Sequence, residues 1–185
     1  MKPVHLLFVP LSLAALLANA QAVTVFSSGG DARACSFAAE LSVKMNPSRG
    51  DLDACNRALD EVHLSRRDRA ATFVNRGILQ AGLDRYQEAL NDYNDALAIE
   101  AQLPQAWNGK GHLYYLAERF DEAIGAYERA LELELPDRHV AYYNLGLVYE
   151  RIGDDAAAQR SYTAALEIAP DWAPAKEQLE QLQAN

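Results

Sequence analysis

Three glycines set the frame. Gly77, Gly111 and Gly146 stand 34 and 35 residues apart, and each brings similar companions at fixed distances. An aromatic residue lies four before each one: Phe73, Trp107 and Tyr142. Alanine lies twelve after (Ala89, Ala123, Ala158) and nineteen after (Ala96, Ala130, Ala165), with tyrosine sixteen after (Tyr93, Tyr127, Tyr162). Tyr114 and Tyr149 follow the second and third glycines by three residues, where Gln80 follows the first. A chain that repeats at this period stacks similar units, because one unit cannot bury its apolar face alone.

This spacing resembles the tetratricopeptide repeat pattern, W-x2-L-G-x2-Y…A-x3-F…P, over residues 70–170. Arg76 and Lys110 depart from it by replacing the Leu before the glycine. Only Pro170 is in register, since Pro104 and Pro136 come late. The resemblance implies an all-α fold, a right-handed α-solenoid of antiparallel helix pairs. Three clear repeats are expected at 70–103, 104–138 and 139–172, with a capping helix at 173–185. In an antiparallel pair, residues face each other when their numbers sum to a constant. Gly77 then faces Ala89, so small residues let two backbones approach, and Phe73 faces Tyr93, so aromatics fill the wider space beside them. The tyrosines at 93, 127 and 162 are expected in the core. Trp172 is expected at the joint with the last helix.

Before the clear repeats, "DACNRAL" resembles "NDYNDAL" at 91–97 and puts Cys55 in the place of Tyr93. Counting back twenty puts Cys35 in the place of Phe73. Residues 32–69 therefore read as a degenerate first pair whose cysteines face each other. An edge unit has one neighbour only, and a disulfide closing a loop of about twenty residues stabilises it by roughly 3 kcal/mol. A redox-active pair is the alternative. The spacing is unlike C-x-x-C, and nothing nearby lowers a thiol pKa.

The chain opens with Lys2, the apolar run "LLFVPLSLAALL" and the small residues "ANA" at 18–20. These are the parts of a signal peptide cleaved before Gln21, which predicts a periplasmic or secreted protein. A retained membrane anchor is the other reading, and Pro10 would kink it. Residues 21–31, with "SSGG", read as a flexible tail. Without residues 1–20 the chain has 16 basic residues against 26 acidic. That balance argues against a general nucleic-acid or anionic-membrane binder, and no later stretch is apolar enough to span a bilayer. Arg66, Arg67 and Arg69, the basic cluster, read as a solvated loop.

No motif for chemistry appears. His5, His63, His112 and His139 have no metal-ligand spacing, and there is no H-E-x-x-H, G-x-S-x-G or phosphate loop. No enzyme activity, metal or cofactor is expected. The resemblance implies instead a concave face, lined by the first helix of each pair, that binds a protein or peptide. Helical period assigns to it Val74, Asn75 and Ile78, then Gln105, Asn108, His112, Tyr115 and Leu116, then Val140, Tyr143, Asn144, Leu147, Glu150 and Arg151. The partner-binding residues expected among them are Asn75, Asn108, His112, Tyr115, Tyr143, Asn144, Leu147 and Arg151. Amides hold a peptide backbone, and tyrosine gives contact area at low entropy cost. Tyr143 is expected to point into the groove because Tyr142 beside it packs inward. Val74 and Ile78 stand where a carboxylate clamp for chaperone tails needs polar groups, so that activity is not expected. The reading is an exported adaptor. Its runner-up is a periplasmic holdase or redox-assisted folding helper for unfolded clients.

Overall fold

The computed structural model describes residues 22–25, 30–42 and 45–184; the signal-peptide reading lies outside them. Among the described residues the chain forms nine α-helices and no strand. They are α1 (Gly30–Ser42), α2 (Asp51–Asp60), α3 (Arg66–Gly82), α4 (Tyr86–Ile99), α5 (Pro104–Leu116), α6 (Phe120–Glu132), α7 (Arg138–Ile152), α8 (Asp155–Ile168) and α9 (Ala173–Ala184). Successive helices pack as hairpins, giving an all-α solenoid of four pairs and a terminal helix.

Local chemistry fixes the helix ends. Ser65 caps α3: its Oγ accepts from the Asp68 N–H at 3.1 Å and donates to the Asp68 carboxylate at 2.7 Å. This cap carries α3 back to Arg66, four residues before the repeat boundary expected at Ala70. Asp154 caps α8 through the Ala157 N–H, and Pro104 opens α5, where its missing N–H costs nothing. The turn after each first helix uses a left-handed residue seven past the reference glycine: Asp84, Glu118 and Gly153.

The arginine cluster is not a solvated loop. It forms the first turn of α3 and ties neighbouring helices together. Arg66 donates to the Ile99 carbonyl at the end of α4, and Arg69 to the Leu59 and Glu61 carbonyls at the end of α2. Those carbonyls have no partner within their own helix, so the cations satisfy them.

Tyr93, Tyr127 and Tyr162 are buried, as their spacing predicts. Their partners differ from the facing rule. A Cβ on Gly77 would lie 2.8 Å from the Tyr93 ring, and one on Gly109 would lie 2.5 Å from it. Gly111 stands in the same relation to Tyr127, and Gly146 to Tyr162. The glycines therefore make room for tyrosine rings from the second helix more than for a close backbone crossing. A long side chain leans back along its helix, so its ring meets a residue one turn away from the one directly opposite.

The residue before each glycine shows how the repeats diverge. Arg76 grips the buried Asp92 with two hydrogen bonds, at 2.9 and 2.7 Å. Burial raises the Asp92 pKa, and Arg76 pulls it the other way. At the equivalent places the second repeat carries Lys110 and Ala126, and the third carries Leu145 and Ser161. The departure at Arg76 is thus half of a pair and its other half is Asp92.

Cys35 and Cys55 face each other between α1 and α2, both fully buried, with Cα atoms 4.8 Å apart and sulfurs 2.13 Å apart. Their separation is within disulfide range.

Candidate functional site

The face expected to be concave belongs to α3, α5 and α7, and its residues fall into three groups. On α3, Val74, Asn75 and Ile78 are buried. Part of their cover is the chain's own N-terminal segment. Residues 22–25, expected to be flexible, lie against α3: the Val23 N–H donates to Asn75 Oδ1 at 2.7 Å, and Asn75 Nδ2 donates to the Val23 carbonyl at 2.9 Å. Val23 also packs against the apolar core, and Val25 is buried. Asn75 is therefore already engaged.

On α7 the expectation for Tyr143 fails. Its side chain is not open to a groove; the residue is 3% exposed. Its ring meets Tyr162 at 5.7 Å and Trp172 at 5.0 Å. Trp172, in the turn before α9, also meets His139 edge-on at 4.8 Å. The inner face of a first helix is where the next hairpin packs, and here Trp172 and α9 take that place. Ala175, Leu179 and Leu182 of α9 join the same cluster, which also holds Leu147. Tyr142, expected to be the core residue of the two, is half-buried with the Arg138 guanidinium 6.0 Å above its ring. Asn108 and Asn144 are buried too.

Between these covered ends, His112 and Tyr115 on α5 are half-buried and Arg151 on α7 is exposed. The fold brings Tyr115 and Arg151 together, with the guanidinium 6.0 Å from the Tyr115 ring and 5.8 Å from that of Phe120. Arg151 also pairs with Glu118 at 2.9 Å. Burial raises the Tyr115 pKa, with Arg151 opposing it. Beneath them the Tyr162 hydroxyl donates to the Glu150 carboxylate. The Nδ1 of His112 is buried without a hydrogen-bond partner, and burial lowers the imidazole pKa to about 4.

Sequence reasoning missed Val23, Val25, Glu118 and Phe120. The alternation in "AVTV" was the available signal for the first two. Glu118 and Phe120 fall outside the helical inner-face positions, in the turn and at the start of α6. Among the described residues no group of three or more His, Cys, Asp or Glu side chains could hold a metal ion, and no helix is long and apolar enough to cross a membrane.

The tetratricopeptide repeat family model matches residues 102–171. Those 70 residues are similar to tetratricopeptide repeats. The match spans α5 to α8, the second and third clear repeats. TTC0263, a thermophilic TPR protein in Thermus thermophilus, superposes with TM-score 0.65 at 19% identity over 85% of this chain and 84% of that one. The protein MamA 41-end from Desulfovibrio magneticus RS-1 gives TM-score 0.65 at 17% identity, over 85% and 86%. The first TPR of Spaghetti (RPAP3), bound to HSP90 peptide SRMEEVD, gives TM-score 0.60 at 18% identity, over 67% of this chain and 97% of that one. These likenesses establish the solenoid fold. The general transcriptional corepressor trfA of Dictyostelium discoideum is 28% identical over 86 residues, 46% of this chain. The chain spans only 6% of that relative's length.

Proposed function

We propose that this chain is a non-catalytic, exported interaction module that holds a peptide or helix of a partner protein on the middle of its concave face. The observation that carries the reading is the Tyr115–Arg151 cluster. It lies between two ends that the chain covers itself, and it joins the residue types most enriched at binding hot spots. A neighbour of the same fold carries a bound peptide, which supports reading the fold as a peptide binder. The α3 positions that a carboxylate clamp would need are Val74 and Ile78, buried and apolar, so the partner is not read through an acidic tail there.

A photo-crosslinking residue at 115 should trap a discrete partner in cells, and the same group at Glu128 on the outer face should trap far less. Tyr115→Ala or Arg151→Ala should weaken capture by about 1–2 kcal/mol or more. Equal trapping from both faces would defeat the assignment. Export to the periplasm or beyond is supported by residues 1–20 and by the cysteine pair at bonding distance. Intact mass of the native protein should show a chain starting at or beside Gln21 with no free thiol, and a retained Met1 would refute it.

One observation favours the holdase reading. Phe37, Leu41 and Met45 stand four residues apart and are 61%, 38% and 68% exposed. Broad, salt-insensitive suppression of client aggregation, lost on Phe37→Ser and Met45→Ser, would select it over the adaptor.

A further inference from the structure

Asn75 already shows what its part of the concave face recognises. Its side-chain amide pairs with both backbone groups of one residue, accepting from the Val23 N–H and donating to the Val23 carbonyl. An adjacent strand would offer an extended peptide the same pair of bonds. Ser36 of α1 donates to the same carbonyl at 3.1 Å, so two helices grip one peptide unit. The side chains add an alternating pattern. Val23 packs on the core, Thr24 is exposed, and Val25 is buried among Ala32, Ala58, Leu64 and Ala71. Backbone-directed bonds with small β-branched side chains at alternate positions are a recognition code, and any chain presenting Val-X-Val meets it.

We propose that Ala22–Val25 is an intramolecular ligand on a peptide-recognition station formed by Asn75, Ser36 and the α1–α3 core, which an extended Val-X-Val segment of a partner takes by displacing it. The proposal rests on reading the concave face as the binding surface, and it names the chemistry of the segment bound at its N-terminal end. The segment acts as a competitor whose strength comes from its tether. Four residues separate the segment from α1, and a tether that short holds its effective concentration in roughly the millimolar range, so a free peptide reaches the station poorly until the segment leaves. Partner capture at this end is thereby restricted to ligands that offer further contacts, and the Tyr115–Arg151 cluster further along the face offers them.

The test uses the full chain and a fluorescein-labelled Ala-Val-Thr-Val peptide with blocked ends. In Val23→Asp/Val25→Asp the segment carries charges that α3 and α1 cannot bury, so it leaves the station. Anisotropy should show saturable binding to this variant, at least about tenfold tighter than to the wild type, as removal of a tethered competitor requires. Asn75→Ala added to the variant should abolish it, and a peptide with both Val replaced by Asp should not bind. Circular dichroism confirms that each variant is folded. A second measurement needs no variant: saturating peptide added to the wild type should increase hydrogen exchange at the Val23 amide. A folded double variant that binds no peptide, or wild-type Val23 exchange unmoved by the peptide, would overturn the proposal. Crosslinking from position 115 separates the two claims. If it still traps a partner while the peptide fails, this inference falls alone; if the peptide binds while 115 traps nothing, the adaptor reading falls.

Discussion

The two ends of the concave face are covered in different ways. At the N-terminal end an irregular segment covers α3 through hydrogen bonds to Asn75 and Ser36 and two valine side chains. At the C-terminal end Trp172 and the apolar side of α9 cover α7, with Tyr143 and Tyr162 interlocked beneath. The first cover is local and made largely through one peptide unit. The second is an extension of the core itself. Solenoids must cap both ends, but a cap made of aromatic packing is part of the fold, whereas a cap made of backbone hydrogen bonds is exchangeable for another backbone.

The largest effect should come from breaking the C-terminal cover. Tyr143→Ala removes a buried ring and should destabilise the protein by about 3–5 kcal/mol, while Val23→Ala should cost only about 1 kcal/mol. Chemical denaturation of both variants measures the contrast. A Tyr143→Ala protein of unchanged stability would place that ring in a groove after all.

Next comes the repeat interior. Arg76→Leu leaves Asp92 buried without its cation and should cost about 3–5 kcal/mol. Adding Asp92→Ser recreates the Leu145/Ser161 combination of the third repeat and should recover most of the loss. Failure of the second change to rescue the first would show that the two repeats are not interchangeable at this place.

The repeat and its core tyrosines were legible from residue identity alone, because the same residues recur wherever the same contact recurs. The covered ends were legible only in part: the capping helix and Trp172 at its joint were expected, but not the residues they cover. Helical period assigns Tyr143 to the inner side of α7. It could not show that Trp172 would return to cover it, since that contact belongs to a turn nearly thirty residues away. The arginines at 66, 67 and 69 looked like a loop because the cap at Ser65 lies before the apolar repeat begins. Val23 has only the short alternation of "AVTV", which names no partner; its place is set by one buried amide. The cysteine pair was legible because its spacing copies that of Phe73 and Tyr93.

Reduction of Cys35 and Cys55 should lower stability by roughly 3 kcal/mol, as expected for a loop of about twenty residues. The loss should be concentrated in α1 and α2, and with them in the grip of Ser36 on Val23. Denaturation with and without a reductant checks the magnitude. Equal loss of exchange protection in α7 and α8 would contradict the local reading.

A smaller effect belongs to the middle of the face. His112 is held near pKa 4, below its ordinary 6.5, so the unfolded chain binds a proton through that range that the folded chain refuses. Its contribution is complete above about pH 6.5 and is lost as pH falls toward 4. Between pH 7 and 4, His112→Gln should lose about 1–3 kcal/mol less stability than the wild type. Parallel pH–stability curves would mean that the imidazole is well solvated.

Native-state hydrogen exchange, resolved by residue, tests the contrast between the two ends most directly. The Val23 amide should open at a free energy well below global unfolding while α7 and α8 keep full protection, and Tyr143 and its neighbours should exchange only when the array unfolds. Protection at Val23 equal to that of α7, or opening of the α7–α9 end before the N-terminal segment, would contradict it.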